Sequence, residues 1–142
     1  MKKIFLLIGI LIVVILSGCE ILANKPYILD IGASQEHVLP NDQFKVFLTI
    51  KNPTQIEFKP VILLNFDKKT FSYQNYYVEK QRISLEPVPS GQQKSYLLQF
   101  TVDRDAKSGL VPIGIYLLGE EGATQSLDYK EKSIDILSNV QR

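Results

Sequence analysis

The 142-residue chain is poor in the side chains that most often carry chemistry, since it has one Cys, one His and no Trp. One Cys excludes an intramolecular disulfide framework, and one His excludes a metal site built from several His ligands. Lys and Arg number 16 against 15 Asp and Glu, so the chain lacks the basic excess of a nucleic-acid-binding protein. We therefore expect a non-enzymatic protein, with no catalytic residues, metal, cofactor or nucleic-acid partner.

The N-terminus carries the longest apolar run of the sequence. Three residues, Met1 to Lys3, form a short basic start, and residues 4–16 are an unbroken run of 13 apolar residues, Gly9 included. A membrane-spanning helix needs about 20 apolar residues, so this run is too short for a permanent span. Its length is typical of the hydrophobic region of a signal peptide.

The apolar run ends in Leu-Ser-Gly-Cys at 16–19, which resembles the lipobox of prokaryotic lipoproteins. This resemblance implies that residues 1–18 are a signal peptide and that the thiol of Cys19 receives a diacylglyceryl group. Each buried acyl CH₂ contributes about 0.8 kcal/mol, so two palmitate-like chains would hold the protein firmly at a membrane. The alternative is an ordinary signal peptide with a Cys near its cleavage site. Residues 19–26 would form a tether to the domain.

The remaining sequence favours strands over helices, because the 124 residues from Cys19 onward contain only four Ala and are rich in β-branched and aromatic residues. Apolar residues alternate with polar ones in several segments, with turn residues between them. We predict seven strands, near 27–33, 43–51, 59–66, 77–85, 93–103, 110–118 and 128–137. The expected fold is all-β, an Ig-like antiparallel sandwich over 27–138, with 139–142 as a C-terminal tail.

The pattern of turns resembles prokaryotic Ig-like modules of the CARDB and archaeal S-layer-associated type. The likeness lies in VLPND at 38–42, IKN at 50–52, PSGQ at 89–92, DAKSG at 105–109 and IGI at 113–115. Asn41 stands where these modules usually have Gly, and Asn also tolerates the left-handed conformation. The resemblance implies a sandwich used for attachment, spacing or protein contact outside the cell.

The segment Phe71–Tyr77 contains four aromatic residues and two amides in seven positions. Aromatic rings beside amides suit both protein partners and sugar rings. If the segment forms a contact patch, Tyr73, Asn75 and Tyr76 are the residues that we expect in it. We favour the other interpretation, in which rings such as Phe71 and Tyr77 fold under the loop and pack on the sandwich.

Few other residues suggest chemistry. His37 could belong to a hydrolase only if a Ser and an acidic residue lay beside it in a pocket, and we interpret it as a loop histidine. Asp103 and Asp105 lack the spacing of a calcium loop and are expected to shape a turn, while 120–122 is expected to be a solvated hairpin tip.

Together these observations predict a lipid-anchored surface lipoprotein on the extracytoplasmic face of the cell membrane. It would serve as a binding or structural component of an envelope or transport assembly, with membrane lipid and an envelope protein as partners. One alternative is a carbohydrate-binding module that uses the Phe71–Tyr77 loop. A second is a small envelope hydrolase.

Overall fold

The computed structural model describes residues 24–74, 80–119 and 124–138. The predicted signal peptide, Cys19 and the predicted tail at 139–142 lie outside these ranges. Within them, no helix has the length and apolar character required to cross a membrane.

In the described ranges, nine strands form two sheets that pack face to face. Their bounds are β1 Tyr27–Ala33, β2 His37–Val38, β3 Gln43–Lys51, β4 Val61–Phe66, β5 Phe71–Tyr73, β6 Lys80–Ser84, β7 Gln93–Val102, β8 Gly109–Leu118 and β9 Ser126–Ile136. The four-stranded sheet has the order β1-β3-β7-β5, and the five-stranded sheet has the order β2-β9-β8-β4-β6. All pairings are antiparallel except that of β2 with β9. The predicted Ig-like β-sandwich is confirmed.

The seven predicted strands correspond to the seven longest observed strands, and the other two were missed. β2 has two residues and β5 has three, so neither is long enough to show an alternating pattern. Residues 61–64 are apolar on both faces, which predicted a central strand. β4 indeed lies between β8 and β6.

The core between the sheets contains an aromatic cluster centred on Phe100. This ring lies 5.7 Å from Phe44, 5.5 Å from Phe66 and 5.4 Å from Tyr73, measured between ring centroids. Burial of an aromatic side chain of this kind contributes about 1.5–3 kcal/mol. The cluster joins both sheets, because β3, β5 and β7 belong to one and β4 to the other.

Asn41 and Asn52 define the ends of β3. Asn41 adopts a left-handed backbone with φ 69°, as its position in the turn before β3 predicted. Asn52 is fully buried, and its Nδ2 group donates to the carbonyls of Ile56 and Val88 at 2.8 and 3.0 Å. Its Oδ1 atom accepts from the Thr54 hydroxyl at 2.6 Å. Asn52 therefore holds the 52–60 loop against the turn that precedes β7.

Candidate functional site

The outer face of the four-stranded sheet carries an exposed apolar pair at its centre. Phe47 of β3 and Leu97 of β7 are directly opposite each other in the antiparallel register, and they are 43% and 59% exposed. Each lies between residues that point into the core, such as Val46 and Leu98. An apolar cross-strand pair that remains exposed contributes little to the fold and is a candidate contact surface.

Polar side chains border the Phe47–Leu97 pair on both sides along the two strands. On one side, the hydroxyls of Thr49 and Ser95 are 2.8 Å apart. On the other side, Lys45 pairs with Gln99, whose Nε2 atom donates to Gln43 Oε1 at 3.1 Å. An apolar centre bordered by polar groups is typical of a protein interface.

Charges on this face are mainly positive, and one of them, Lys45, is the outward neighbour of Phe47 along β3. Lys45 and Lys51 share the outward side of β3 with Phe47, and Lys51 Nζ donates to the Gly91 carbonyl at 2.8 Å. Asp30 of β1 pairs with Thr49 and is exposed on the same face. A partner that bears carboxylates around an apolar centre would complement this arrangement.

The predicted contact patch in the aromatic loop needs a correction at Tyr73. This residue is only 4% exposed, and its ring packs against Phe100 inside the sandwich, so its faces are not available to a ligand. Phe71 is also fully buried, in agreement with the packed interpretation of this loop. Asn75 and Tyr76 lie outside the described residues, so their part of the patch stays a prediction.

His37 does not have the surroundings that a hydrolase would require. Its Nδ1 atom lies 3.0 Å from Asp135 Oδ2, but its side chain is 67% exposed. Asp135 is therefore an acidic neighbour of an exposed imidazole at the protein surface. This contact connects the two strands that pair in parallel, β2 and β9.

The acidic turn at 103–105 behaves as a structural turn. The Asp105 amide donates to Asp103 Oδ1 at 2.8 Å, which is the predicted side-chain-to-backbone bond. In the described ranges, no three His, Cys, Asp or Glu side chains form a group that could hold a metal ion. The hairpin tip at 120–122 lies outside those ranges.

A second aromatic feature, which the sequence analysis missed, lies on the outer face of the five-stranded sheet. Tyr116 of β8 and Tyr129 of β9 are cross-strand partners, with ring centroids 4.4 Å apart. Beside them an open trough of about 330 Å³ is lined by Asn65, Pro112, Gly114, Tyr129 and Glu131, among others. We call this feature the Gly114 trough.

No protein-family model and no curated protein matches the chain. The fold is similar to that of the CaCohA2 cohesin domain of Clostridium acetobutylicum, which was crystallised in complex with CaDoc0917. The TM-score is 0.56 at 12% identity, and the alignment covers 80% of this chain and 100% of the cohesin domain. A cycloisomaltooligosaccharide glucanotransferase of Paenibacillus, complexed with cycloisomaltoheptaose, aligns with TM-score 0.59 at 12% identity, over 81% of this chain and 15% of the enzyme.

A CARDB domain from Pyrococcus furiosus aligns with TM-score 0.48 at 14% identity, over 80% of this chain and 86% of the domain. Because this TM-score is below 0.5, the fold is assigned from the matches to the cohesin domain and the glucanotransferase. At these identities the matches establish an Ig-like β-sandwich, a fold that serves both as a separate binding module and as a domain of larger enzymes.

Proposed function

We propose that this protein is a surface lipoprotein that is anchored through Cys19 on the extracytoplasmic side of the cell membrane and binds another envelope protein. The anchor is supported by the basic start, the 13-residue apolar run and the lipobox-like 16–19 segment. Seven residues, 20–26, separate Cys19 from the first residue of β1. At about 3.3–3.6 Å per residue, this tether would keep the sandwich within about 30 Å of the lipid.

The observation that carries the binding function is the exposed Phe47–Leu97 pair. Its two side chains lie on neighbouring central strands, so the backbone holds them at a fixed spacing. Preorganised apolar residues bind with a small loss of conformational entropy. The cohesin domain with the same fold, crystallised in complex with CaDoc0917, supports the assignment of a protein partner.

The charges on this face favour a different protein over a second copy of the chain. Two identical faces would bring Lys45 and Lys51 close to the same side chains of the other copy, with only Asp30 to offset them. Juxtaposed like charges oppose association. We therefore assign as partner an extracytoplasmic protein that presents apolar side chains flanked by Asp or Glu.

Site-specific photocrosslinking in living cells tests this assignment. A photoreactive phenylalanine derivative would replace Leu97 or, as a control, Leu110, which is 73% exposed on the other sheet. We expect one extracytoplasmic protein to crosslink at position 97 and not at 110. The purified pair should then bind roughly tenfold more weakly with Leu97→Lys, and Leu110→Lys should bind as the wild type does.

Two results would contradict the proposed partner. The first is crosslinking at position 97 to another copy of this chain, which would make the face a dimer interface. The second is a captured protein whose affinity does not change with Leu97→Lys. The variant Lys45→Glu tests the contribution of charge to binding. It should weaken binding to an acidic partner and strengthen self-association.

A further inference from the structure

The Gly114 trough lies on the opposite side of the sandwich from the Phe47–Leu97 pair. It follows one row of side chains across three strands: Asn65 of β4 pairs with Gly114 of β8, which pairs with Glu131 of β9. These positions alternate with core residues such as Ile113 and Ile115, so the row faces outward. Gly114, which carries no side chain, lies between these two polar neighbours.

Tyr129 forms one wall of the trough. A Cβ atom at position 114 would lie 2.8 Å from the Tyr129 hydroxyl and 3.0 Å from a ring carbon, so the tip of the ring occupies the space that Gly leaves. The residue is nevertheless 41% exposed. The ring of its partner Tyr116 lies 4.4 Å away between centroids. The result is an aromatic surface whose position is set by its neighbours.

Polar groups of fixed orientation accompany this ring. The Tyr129 hydroxyl donates to Glu131 Oε2 at 2.7 Å. This hydrogen bond, together with burial, raises the pKa of Tyr129 to about 12, so the phenol remains neutral at physiological pH. Asn65 adds an exposed side-chain amide, and Asp67 adds a carboxylate at the end of the trough.

We propose that the Gly114 trough binds the pyranose ring of a polysaccharide. The flat C–H face of a pyranose packs on an aromatic ring, and its vicinal hydroxyls bond to amide and carboxylate groups at the rim. The trough has a volume of about 330 Å³ and is open to solvent, so it can hold a sugar ring that belongs to a longer chain. This site is independent of the proposed protein contact, because it uses the other sheet.

The competing explanation is that Tyr129 only protects the backbone at Gly114, a role that aromatic residues have beside glycines in sheets. The two explanations differ in what they predict for Asn65 and Glu131. Packing at Gly114 does not require either polar group, whereas sugar binding requires both.

The test uses the full-length protein in a detergent that contains no sugar. Amide NMR spectra would be recorded with hexamers of β-linked N-acetylglucosamine and of α- and β-linked glucose as probes. We expect saturable shifts with at least one hexamer, confined to residues around Asn65, Gly114 and Glu131. Binding should fall roughly tenfold in Asn65→Ala and in Glu131→Gln, with unchanged thermal stability.

Gly114→Ala provides a second variant, because the new Cβ would force the Tyr129 ring out of the trough. It should abolish the shifts, while Phe47→Ser, on the other sheet, should retain them. Absence of saturable shifts with all three hexamers would overturn the proposal, as would shifts that persist in Asn65→Ala and Glu131→Gln. Loss of protein crosslinking at position 97 would leave this result unaffected, so failures of the two proposals are distinguishable.

Discussion

At the scale of single residues, Asn52 is the clearest case of a polar side chain that specifies the fold. It is buried without charge, and both ends of its amide have partners in two separate loop segments. A buried polar group of this kind stabilises only when its hydrogen bonds are complete. The sequence marked Asn52-Pro53-Thr54 as a turn, but the carbonyls of Ile56 and Val88 could not be identified as its partners without the structure.

We predict that Asn52→Ala lowers the free energy of unfolding by about 2 kcal/mol, because the carbonyls of Ile56 and Val88 lose a buried hydrogen-bond donor. Urea denaturation followed by tyrosine fluorescence measures this change. Gln99→Ala, an exposed residue that also loses a side-chain hydrogen bond, is the control and should change stability by less than about 0.5 kcal/mol. Equal costs for the two variants would show that Asn52 does not hold the loop.

Asp67 allows a prediction about pH. The Thr70 hydroxyl donates to its Oδ2 atom at 2.7 Å and the Lys69 amide to its Oδ1 atom at 3.0 Å, and these bonds lower the pKa of the Asp67 carboxyl below 3.8. A lowered folded-state pKa means that the ionised carboxylate stabilises the fold above the pKa of the unfolded chain. That stabilisation is lost as pH falls through the folded-state value.

Thr70→Val, which removes the hydroxyl but keeps the shape, should therefore raise the pKa of Asp67 toward 3.8 and reduce the loss of stability in acid. A ¹³C NMR titration of the carboxyl carbons measures the shift directly. Thr49→Val, on the outer face of β3, should leave the Asp67 titration unchanged. An unshifted Asp67 in Thr70→Val would contradict the assignment of the hydroxyl as the main cause.

At the scale of elements, the alternation of outward and inward side chains along β7 places a candidate contact residue next to a core residue. Leu97 and Leu98 are adjacent, yet Leu97 is 59% exposed and Leu98 is 1% exposed. We predict that Leu98→Ala lowers the free energy of unfolding by about 2–5 kcal/mol, because it leaves a cavity in the core. Leu97→Ala should change it by less than about 0.5 kcal/mol. Chemical denaturation of both variants checks this, and a large loss for Leu97→Ala would place that side chain in the core.

Long strands such as β3 and β7 could be predicted because they show a period of two, and β4 because its first four residues are apolar on both faces. Phe47 and Leu97 could also be identified from the sequence, because each is apolar at a position where the alternation predicts a polar residue. The pairing of Tyr116 with Tyr129 could not, because it depends on the register between β8 and β9. Tyr73 was misplaced for a related reason: all three residues of β5 are buried, so alternation does not apply there.

At the scale of the whole molecule, the sandwich has two outer faces with different chemistry. The four-stranded sheet presents the Phe47–Leu97 pair together with two lysines, and the five-stranded sheet presents the Gly114 trough with its amide and carboxylates. The proposed lipid at Cys19 would hold both faces near the membrane through a short tether. The protein would then be able to connect an envelope protein with a surface polysaccharide.

The proposed location and partner both depend on the lipid anchor at Cys19, and metabolic labelling with a clickable palmitate analogue tests this anchor. Wild-type protein and Cys19→Ser would be expressed in a prokaryotic host, labelled, and separated by detergent phase partitioning. We predict that the wild type carries the label and enters the detergent phase, and that Cys19→Ser carries none. An unlabelled wild-type protein, or equal labelling of both forms, would contradict the claim.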